Sequence, residues 1–346
     1  VYHALDRIPE AVADYDKAIR LAPEDAQTHI RRGDANIDLE RIEEAKDDYT
    51  EAIRLDPSNG RAYASLGTTY ELLNQSSEAL AHYSAALQLN RGDDQTFFRR
   101  GRVYQGLSQF ALALDDFDEA VRLNPGFAQA VFNRGMSLEA LGQYQEALTD
   151  YNEAARLGVE EPALFSHRGD AQKNLKRFED ALADYDVVVE LNLADAEIFA
   201  SRGACFYALG RYKNAVADYM EALRLDPDRT SLNFERGLAY RGLDQHHEAL
   251  ADFEKVIGLE PQNVSAYRER AGVYADLEEF DPSLADYAEA IRLDPQEPTN
   301  FLERGQTMEI LGRDGDALAD YDEAIRLTPD FAEAHYRRAV FYRSQH

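Results

Sequence analysis

Apolar and small residues recur along this chain at helical spacing, and the pattern itself repeats every 34 residues. With Ala26 counted as position 1, apolar or small residues fall at positions 4, 8, 11 and 14, and a second set falls at positions 20, 24, 27 and 30. Each set occupies one face of a helix, as Phe97, Gly101, Tyr104 and Leu107 illustrate for the first. The pattern therefore predicts an all-α chain built from helix pairs, without β-strands.

The repeat runs without insertion or deletion and divides the whole chain. It predicts a partial unit over residues 1–25, nine complete units and a partial unit over residues 332–346. The complete units begin at residues 26, 60, 94, 128, 162, 196, 230, 264 and 298. Because stacked repeats need contact only their neighbours, we expect residues 1–346 to form a single α-solenoid of about ten stacked helix-turn-helix units. Val1 falls within a predicted helix, so we expect the sequence to be part of a longer polypeptide.

Positions 8 and 24 predict close helix packing. Position 8 holds glycine in most repeats, although glycine inside a helix costs about 1 kcal/mol relative to alanine. Position 24 always holds tyrosine or phenylalanine, and we expect each ring to fill the space that the small residue leaves. Leucine at positions 14 and 30 is expected to close the ends of the buried seam. Proline at position 32, as in Pro57, is expected to end the second helix.

These residues resemble the tetratricopeptide repeat over the whole chain. The resemblance consists of the small residue at position 8, the large apolar residue at 11, alanine at 20 and 27, the aromatic residue at 24 and proline at 32. It implies a right-handed superhelix whose first helices line a concave groove. Some family members bind acidic chaperone tails through lysine and asparagine at positions 5 and 9. This chain has no lysine at position 5, which disfavours that ligand.

The resemblance also implies a partner-binding groove, because positions 2, 5, 9, 12 and 13 of the first helix face it in the family. Aromatic and methionine side chains flanked by arginine there would suit a peptide-binding surface. The alternative is that position 5 packs against the next repeat, since it is also apolar at Ile30 and Leu302. The groove residues that we predict are Phe98, Arg102, Gln105, Phe132, Met136, Ala204, Tyr207, Phe234, Leu238 and Arg241.

Position 7 holds arginine and position 23 holds aspartate in almost every repeat. The exceptions, Leu66 and His82, fall in the same repeat, which indicates an ion pair between the two helices of one repeat. Pairing with the preceding repeat would have placed the exceptions in neighbouring repeats. We interpret the pairs as structural, and the alternative is a binding strip for carboxylates or phosphates.

Charge and composition narrow the classes of partner. The chain has 37 basic and 65 acidic residues and a net charge of −28, which disfavours nucleic acid. The charge fits a self-repelling outer surface, with a basic partner as the alternative. No apolar run is long enough for a membrane helix, so we expect a soluble protein and no membrane partner. The single cysteine, Cys205, leaves the compartment open, with the cytoplasm favoured.

No group of residues in the sequence predicts catalysis, a metal site or a cofactor. His246 and His247 are adjacent, and adjacent side chains on a helix diverge. Our leading hypothesis is a non-catalytic scaffold that binds a peptide segment or a partner protein in its groove. One alternative is a regulatory or substrate-docking arm of an enzyme whose catalytic domain lies outside this segment. Another is a solenoid that assembles end to end with copies of itself.

Overall fold

A computed structural model describes residues 7–90 and 92–344, except for the side chain of Ser344. Within these residues the chain forms twenty α-helices and no β-strand. The predicted all-α fold is therefore confirmed. Val1, whose position suggested a start inside a helix, lies outside the described residues, as do the last two residues of the predicted partial unit 332–346.

The chain divides into two compact parts, an N-terminal unit (Val1–Leu175) and a C-terminal unit (Lys176–His346). The helices of the N-terminal unit are α1 (Ile8–Leu21), α2 (Ala26–Asp38), α3 (Ile42–Leu55), α4 (Gly60–Leu72), α5 (Ser76–Leu89), α6 (Asp94–Gly106), α7 (Phe110–Leu123), α8 (Ala128–Ala140), α9 (Tyr144–Arg156) and α10 (Pro162–Asn174). The helices of the C-terminal unit are α11 (Phe178–Glu190), α12 (Ala196–Ala208), α13 (Tyr212–Leu225), α14 (Thr230–Arg241), α15 (His246–Leu259), α16 (Val264–Asp276), α17 (Phe280–Leu293), α18 (Pro298–Ile310), α19 (Asp314–Leu327) and α20 (Ala332–Ser344).

Even-numbered helices are the first helices of the predicted repeats, and odd-numbered helices are the second helices. Within each unit, a first helix packs on the second helix of its own repeat and on that of the preceding repeat. Successive first helices also touch, as α4 and α6 do, whereas successive second helices have no comparable contact among the described residues. Each unit therefore curves towards its first helices. Both units are α-solenoids of stacked repeats, and a single solenoid over residues 1–346 stays a prediction.

The packing of position 8 against position 24 follows the sequence prediction. A Cβ atom added to Gly67 would lie 2.7 Å from Cδ1 of Tyr83, and one added to Gly135 would lie 2.7 Å from Cε1 of Tyr151. Real Cβ atoms do not approach a ring so closely, so these glycines are required by the helix packing. The two tyrosine rings are fully buried as a result.

The prediction for leucine at positions 14 and 30 is wrong at several repeats. Leu107 and Leu141 at position 14 are 44% and 41% exposed, and Leu259 at position 30 is 58% exposed. Position 14 is the C-cap of the first helix, where the chain leaves the packed face. The following residue takes a left-handed backbone conformation, with φ of 57° at Ser108 and 75° at Gly142. The turn carries Leu107 and Leu141 at position 14 towards solvent instead of into the seam.

Candidate interaction surface

The arginines at position 7 and the aspartates at position 23 form bidentate ion pairs between the helices of one repeat. In the repeat that begins at residue 94, Nε and Nη2 of Arg100 donate to the two carboxylate oxygens of Asp116 at 2.8 and 2.7 Å. Arg134 and Asp150 make the same pair, with both distances at 2.7 Å. The predicted pairing within a repeat is confirmed. The same bidentate geometry joins Arg32 to Asp48, Arg202 to Asp218, Arg236 to Asp252, Arg270 to Asp286 and Arg304 to Asp320.

The arginine makes a further contact that the sequence analysis did not identify. Its Nη1 reaches position 25 of the preceding second helix, so that Arg134 donates to Asp118 at 2.9 Å and Arg202 donates to Asp186 at 2.8 Å. One guanidinium thus joins three helices from two repeats. The sequence carried a signal for this contact, because position 25 is also aspartate in several repeats.

Aromatic rings at positions 4 and 11 enclose the same guanidinium. In one repeat Cζ of Arg202 lies 5.7 Å from the ring centres of both Phe199 and Phe206. The partner carboxylate of Asp218 is 4% exposed, and burial of this kind makes an unpaired charge costly. The arginines are therefore structural, as the sequence interpretation expected, and their contacts to position 25 also link neighbouring repeats.

The repeat with Leu66 and His82 replaces the ion pair with aromatic packing. The His82 ring stacks on Tyr70 with centroids 5.2 Å apart and planes 7° from parallel. Burial lowers the pKa of His82, because the charged ring would lose its hydration. A neutral imidazole against a tyrosine and the buried Leu66 thus takes the place of the charged pair.

The side chains at positions 2, 5, 6, 9 and 12 of successive first helices form a surface that we call the first-helix face. Its members bridge neighbouring first helices, since position 12 of one helix meets position 6 of the next. For example, Nδ1 of His167 lies 3.1 Å from Oε2 of Glu139. The predicted groove residues belong to the first-helix face by their repeat positions, which are 5, 9 and 12.

In the N-terminal unit, the predicted groove residues are used largely in packing between repeats. Phe132 is only 4% exposed, with its ring centre 6.0 Å from that of His167 in the next repeat. Phe98 is half-buried, and its ring centre lies 4.7 Å from that of Phe127, the N-cap residue of the next first helix α8. Phe132 therefore follows the alternative prediction, in which the side chain at position 5 packs against the next repeat. The binding role predicted for these residues stays a prediction.

The other predicted residues of the N-terminal unit differ in exposure. Arg102 is exposed, and its guanidinium lies 5.9 Å from the ring of Phe98. Gln105 donates from Nε2 to the carbonyl oxygen of Asn133 at 3.2 Å and so ties α6 to α8. Met136 is half-buried against the core of its repeat. Of these three, only Arg102 is exposed.

In the C-terminal unit, four of the predicted residues are partly buried apolar side chains on two neighbouring helices. Ala204 and Tyr207 lie on α12, and Phe234 and Leu238 lie on α14, which contacts α12. All four retain part of their surface in solvent. Arg241 follows them on α14 as the fifth predicted residue.

Arg241 does not stand free on the first-helix face. Its Nη1 donates to Glu269 at 2.9 Å, and its Nε donates to Asp276 at 3.1 Å, both on α16. The guanidinium lies over Gly272, where an added Cβ would come within 2.7 Å of Nη2. The missing side chain at position 9 of α16 therefore makes room for an arginine from the preceding repeat.

Sequence reasoning missed a row of glutamates at position 6 of three successive first helices. Glu235, Glu269 and Glu303 occupy this position on α14, α16 and α18. Burial raises the pKa of Glu303 to about 7, while Arg268 and Arg241 oppose the shift. The first-helix face of the C-terminal unit is therefore acidic around its apolar group. The repeat register contained this signal, since all three glutamates fall at one position.

The described residues contain few features that suggest other chemistry. No group of three His, Cys, Asp or Glu residues in the described part of the chain is placed to hold a metal ion. Cys205 is fully buried. None of the helices in residues 7–90 and 92–344 combines the length and apolar character that crossing a bilayer requires. Tyr336 and Tyr342 on α20 are 61% and 50% exposed, and end-to-end self-association stays a prediction.

Comparisons with known proteins agree with this architecture. Family models described as tetratricopeptide repeat match residues 30–94, 98–161, 196–229 and 234–298, and one described as TPR repeat matches residues 310–345. These matches cover more than half of the sequence, and the chain belongs to the tetratricopeptide repeat family. Repeats of this family generally mediate protein–protein interactions and are typically non-enzymatic.

Solved structures show the same fold at low sequence identity. The C-terminal part of a TPR repeat-containing protein from Cytophaga hutchinsonii is 19% identical, with a TM-score of 0.56, over 68% of this chain and 97% of that chain. A structure of pilF from Pseudomonas aeruginosa is 18% identical, with a TM-score of 0.50, over 64% of this chain and 96% of that chain. No curated protein matches the sequence. At these identities the likeness concerns the fold alone.

Proposed function

We propose that this chain is a non-catalytic scaffold that binds a segment of a partner protein along the first-helix face of its C-terminal unit. The observation that carries this proposal is the partly accessible apolar group of Ala204, Tyr207, Phe234 and Leu238 on the adjacent helices α12 and α14. Large apolar side chains that remain partly in water gain free energy when a partner covers them.

The charge around this group indicates the kind of segment that fits it. Glu235 lies on α14 with two of the apolar side chains, and Glu269, Asp276 and Glu303 lie on the following first helices, α16 and α18. The nearby cations, Arg241 and Arg268, are outnumbered by these acids and are engaged with Glu269. A segment with apolar residues flanked by lysine or arginine would complement both features.

The experiment compares two labelled short peptides by fluorescence anisotropy. One carries leucine and phenylalanine flanked by lysine, and in the other each lysine is replaced by glutamate. We expect the basic peptide to bind at least about tenfold more tightly, and less tightly as salt rises. Tyr207→Ala and Leu238→Ala should each weaken its binding by about tenfold, because each removes apolar contact area.

Met220→Ala provides the matched control, since Met220 is 51% exposed on the second helix α13 of the same unit. It should leave binding unchanged. Equal binding of the two peptides, or an equal loss in Met220→Ala, would refute a site on the first-helix face. Thermal melts of each variant separate loss of binding from loss of folding. Phe132→Ala is unsuitable as a binding test, because its ring is buried.

A further inference from the structure

Two arginines of the N-terminal unit hold a second carboxylate at a place where Arg100 has none. Nη1 of Arg32 donates to Asp16 at 2.8 Å, and that of Arg134 donates to Asp118 at 2.9 Å. Nη1 of Arg100 instead donates to the hydroxyl oxygen of Ser84 at 3.0 Å. The guanidinium at this position accommodates two carboxylates in other repeats, but Arg100 has only one.

A cavity of about 430 Å³ opens at this place between α5, α6 and α7. Arg100, Ser84 and the exposed Gln88 offer hydrogen-bond donors to it, and Arg122 enters from α7. Leu87 and the ring of Phe97 form an apolar wall beside these donors. The cavity thus combines polar donors with an apolar surface, as small-molecule and side-chain pockets commonly do.

Arg100 at this cavity has one carboxylate fewer around its guanidinium than Arg134 has in the next repeat. Arg100 is paired with Asp116, and Arg122 donates to Glu119 at 2.8 Å, so the two cations and two anions balance. In the next repeat the guanidinium of Arg134 holds Asp150 and Asp118 together. A ligand carboxylate beside Arg100 would therefore recreate an arrangement that the protein already contains.

We propose that this cavity binds a carboxylate that carries a short apolar group. The carboxylate takes the place of the missing aspartate and accepts hydrogen bonds from Arg100 and Ser84, while the apolar group lies against Leu87 and Phe97. Arg122 is 64% exposed and has room to turn towards the ligand. The site is independent of the peptide surface proposed above, because none of its residues lies on α12 or α14.

The test uses 3-phenylpropanoate as the probe and its neutral amide as the matched ligand, followed through the backbone amide signals of the protein. We expect millimolar binding of the acid, with shifts around Ser84, Gln88 and Arg100, and at least about tenfold weaker binding of the amide. A second comparison uses a peptide that ends in phenylalanine, with its carboxyl group either free or amidated. Tighter binding of the free form would identify a chain terminus as the source of the ligand.

Ser84→Asp is the decisive variant, because an aspartate at this position would occupy Arg100 as Asp118 occupies Arg134. It should weaken binding of the acid at least about tenfold, whereas Ser84→Ala should change it by less than about threefold. Gln88→Glu, at an exposed position, gives a second test by repulsion if Ser84→Asp folds poorly. Asp118→Ser should create a similar site at Arg134. Unchanged affinity in both Ser84→Asp and Gln88→Glu, or equal binding of the acid and its amide, would overturn the proposal.

Discussion

The two units use the same repeat positions in different ways on their first-helix faces. In the N-terminal unit, Phe132 at position 5 is buried against Tyr151, and Gln105 at position 12 ties α6 to α8. In the C-terminal unit, Phe234 at position 5 keeps part of its ring in solvent. Position 5 therefore holds a buried phenylalanine in one unit and a partly accessible phenylalanine in the other. The register of the repeat fixes where a side chain lies, and its neighbours decide whether it stays accessible.

The largest expected effect separates Phe132 from Phe234. Phe132→Ala should lower the free energy of unfolding by about 3–5 kcal/mol, because it leaves a cavity between two repeats. Phe234→Ala should cost about 1–2 kcal/mol, since part of this ring is already hydrated. Urea unfolding followed by circular dichroism measures both. Equal losses in the two variants would contradict the contrast between the two faces.

Arg241 in the C-terminal unit and Arg102 in the N-terminal unit should contribute different amounts to the free energy of unfolding. Arg241→Ala should destabilise the protein by about 2 kcal/mol, because it leaves Glu269 and Asp276 without their shared cation. Arg102→Ala should cost less than about 0.5 kcal/mol, since this side chain is exposed. Thermal melts at low and high salt measure the difference. A similar loss in Arg102→Ala would mean that Arg102 has a partner beyond its contact with Phe98.

The sequence predicted the backbone architecture well because that architecture depends on steric requirements repeated at fixed positions. The fit of Gly67 to Tyr83 and the pairing of Arg134 with Asp150 could both be inferred from residue types alone. The accessibility of Phe132 could not, because it depends on which residue of the next repeat meets its ring. The sequence also did not reveal that Gly272 receives a side chain from another repeat.

The acidity of the C-terminal face makes stability depend on pH. Glu303 has a pKa of about 7 in the folded state, above its ordinary value of 4.5, so the folded protein binds the proton more tightly than the unfolded chain does. Its contribution to stability is therefore largest below about pH 4.5 and falls as pH rises to about 7. Glu303→Gln should stabilise the protein by about 1–2 kcal/mol at pH 8 and flatten the dependence between pH 5 and 7.5.

The control for this pH effect is Glu323→Gln. Glu323 is partly exposed, and its hydrogen bond with Arg326 lowers its pKa below 4.5. This variant should leave the slope of stability between pH 5 and 7.5 unchanged, because Glu323 titrates below that range. Unfolding is measured across this pH range. If Glu303→Gln kept the original slope of stability against pH, Glu303 would not be the source of that pH dependence.

The smallest expected effect concerns the contact between first helices in the N-terminal unit. Gln105→Ala removes the hydrogen bonds from Nε2 to the carbonyl oxygen of Asn133 and to the hydroxyl oxygen of Ser137. The expected loss is about 1 kcal/mol, since each acceptor keeps an alternative partner in water or in its own helix. Hydrogen exchange should show faster exchange in α6 and α8, with α12 and α14 unchanged. Faster exchange in α14 instead would contradict a role for Gln105 that is confined to the contact between α6 and α8.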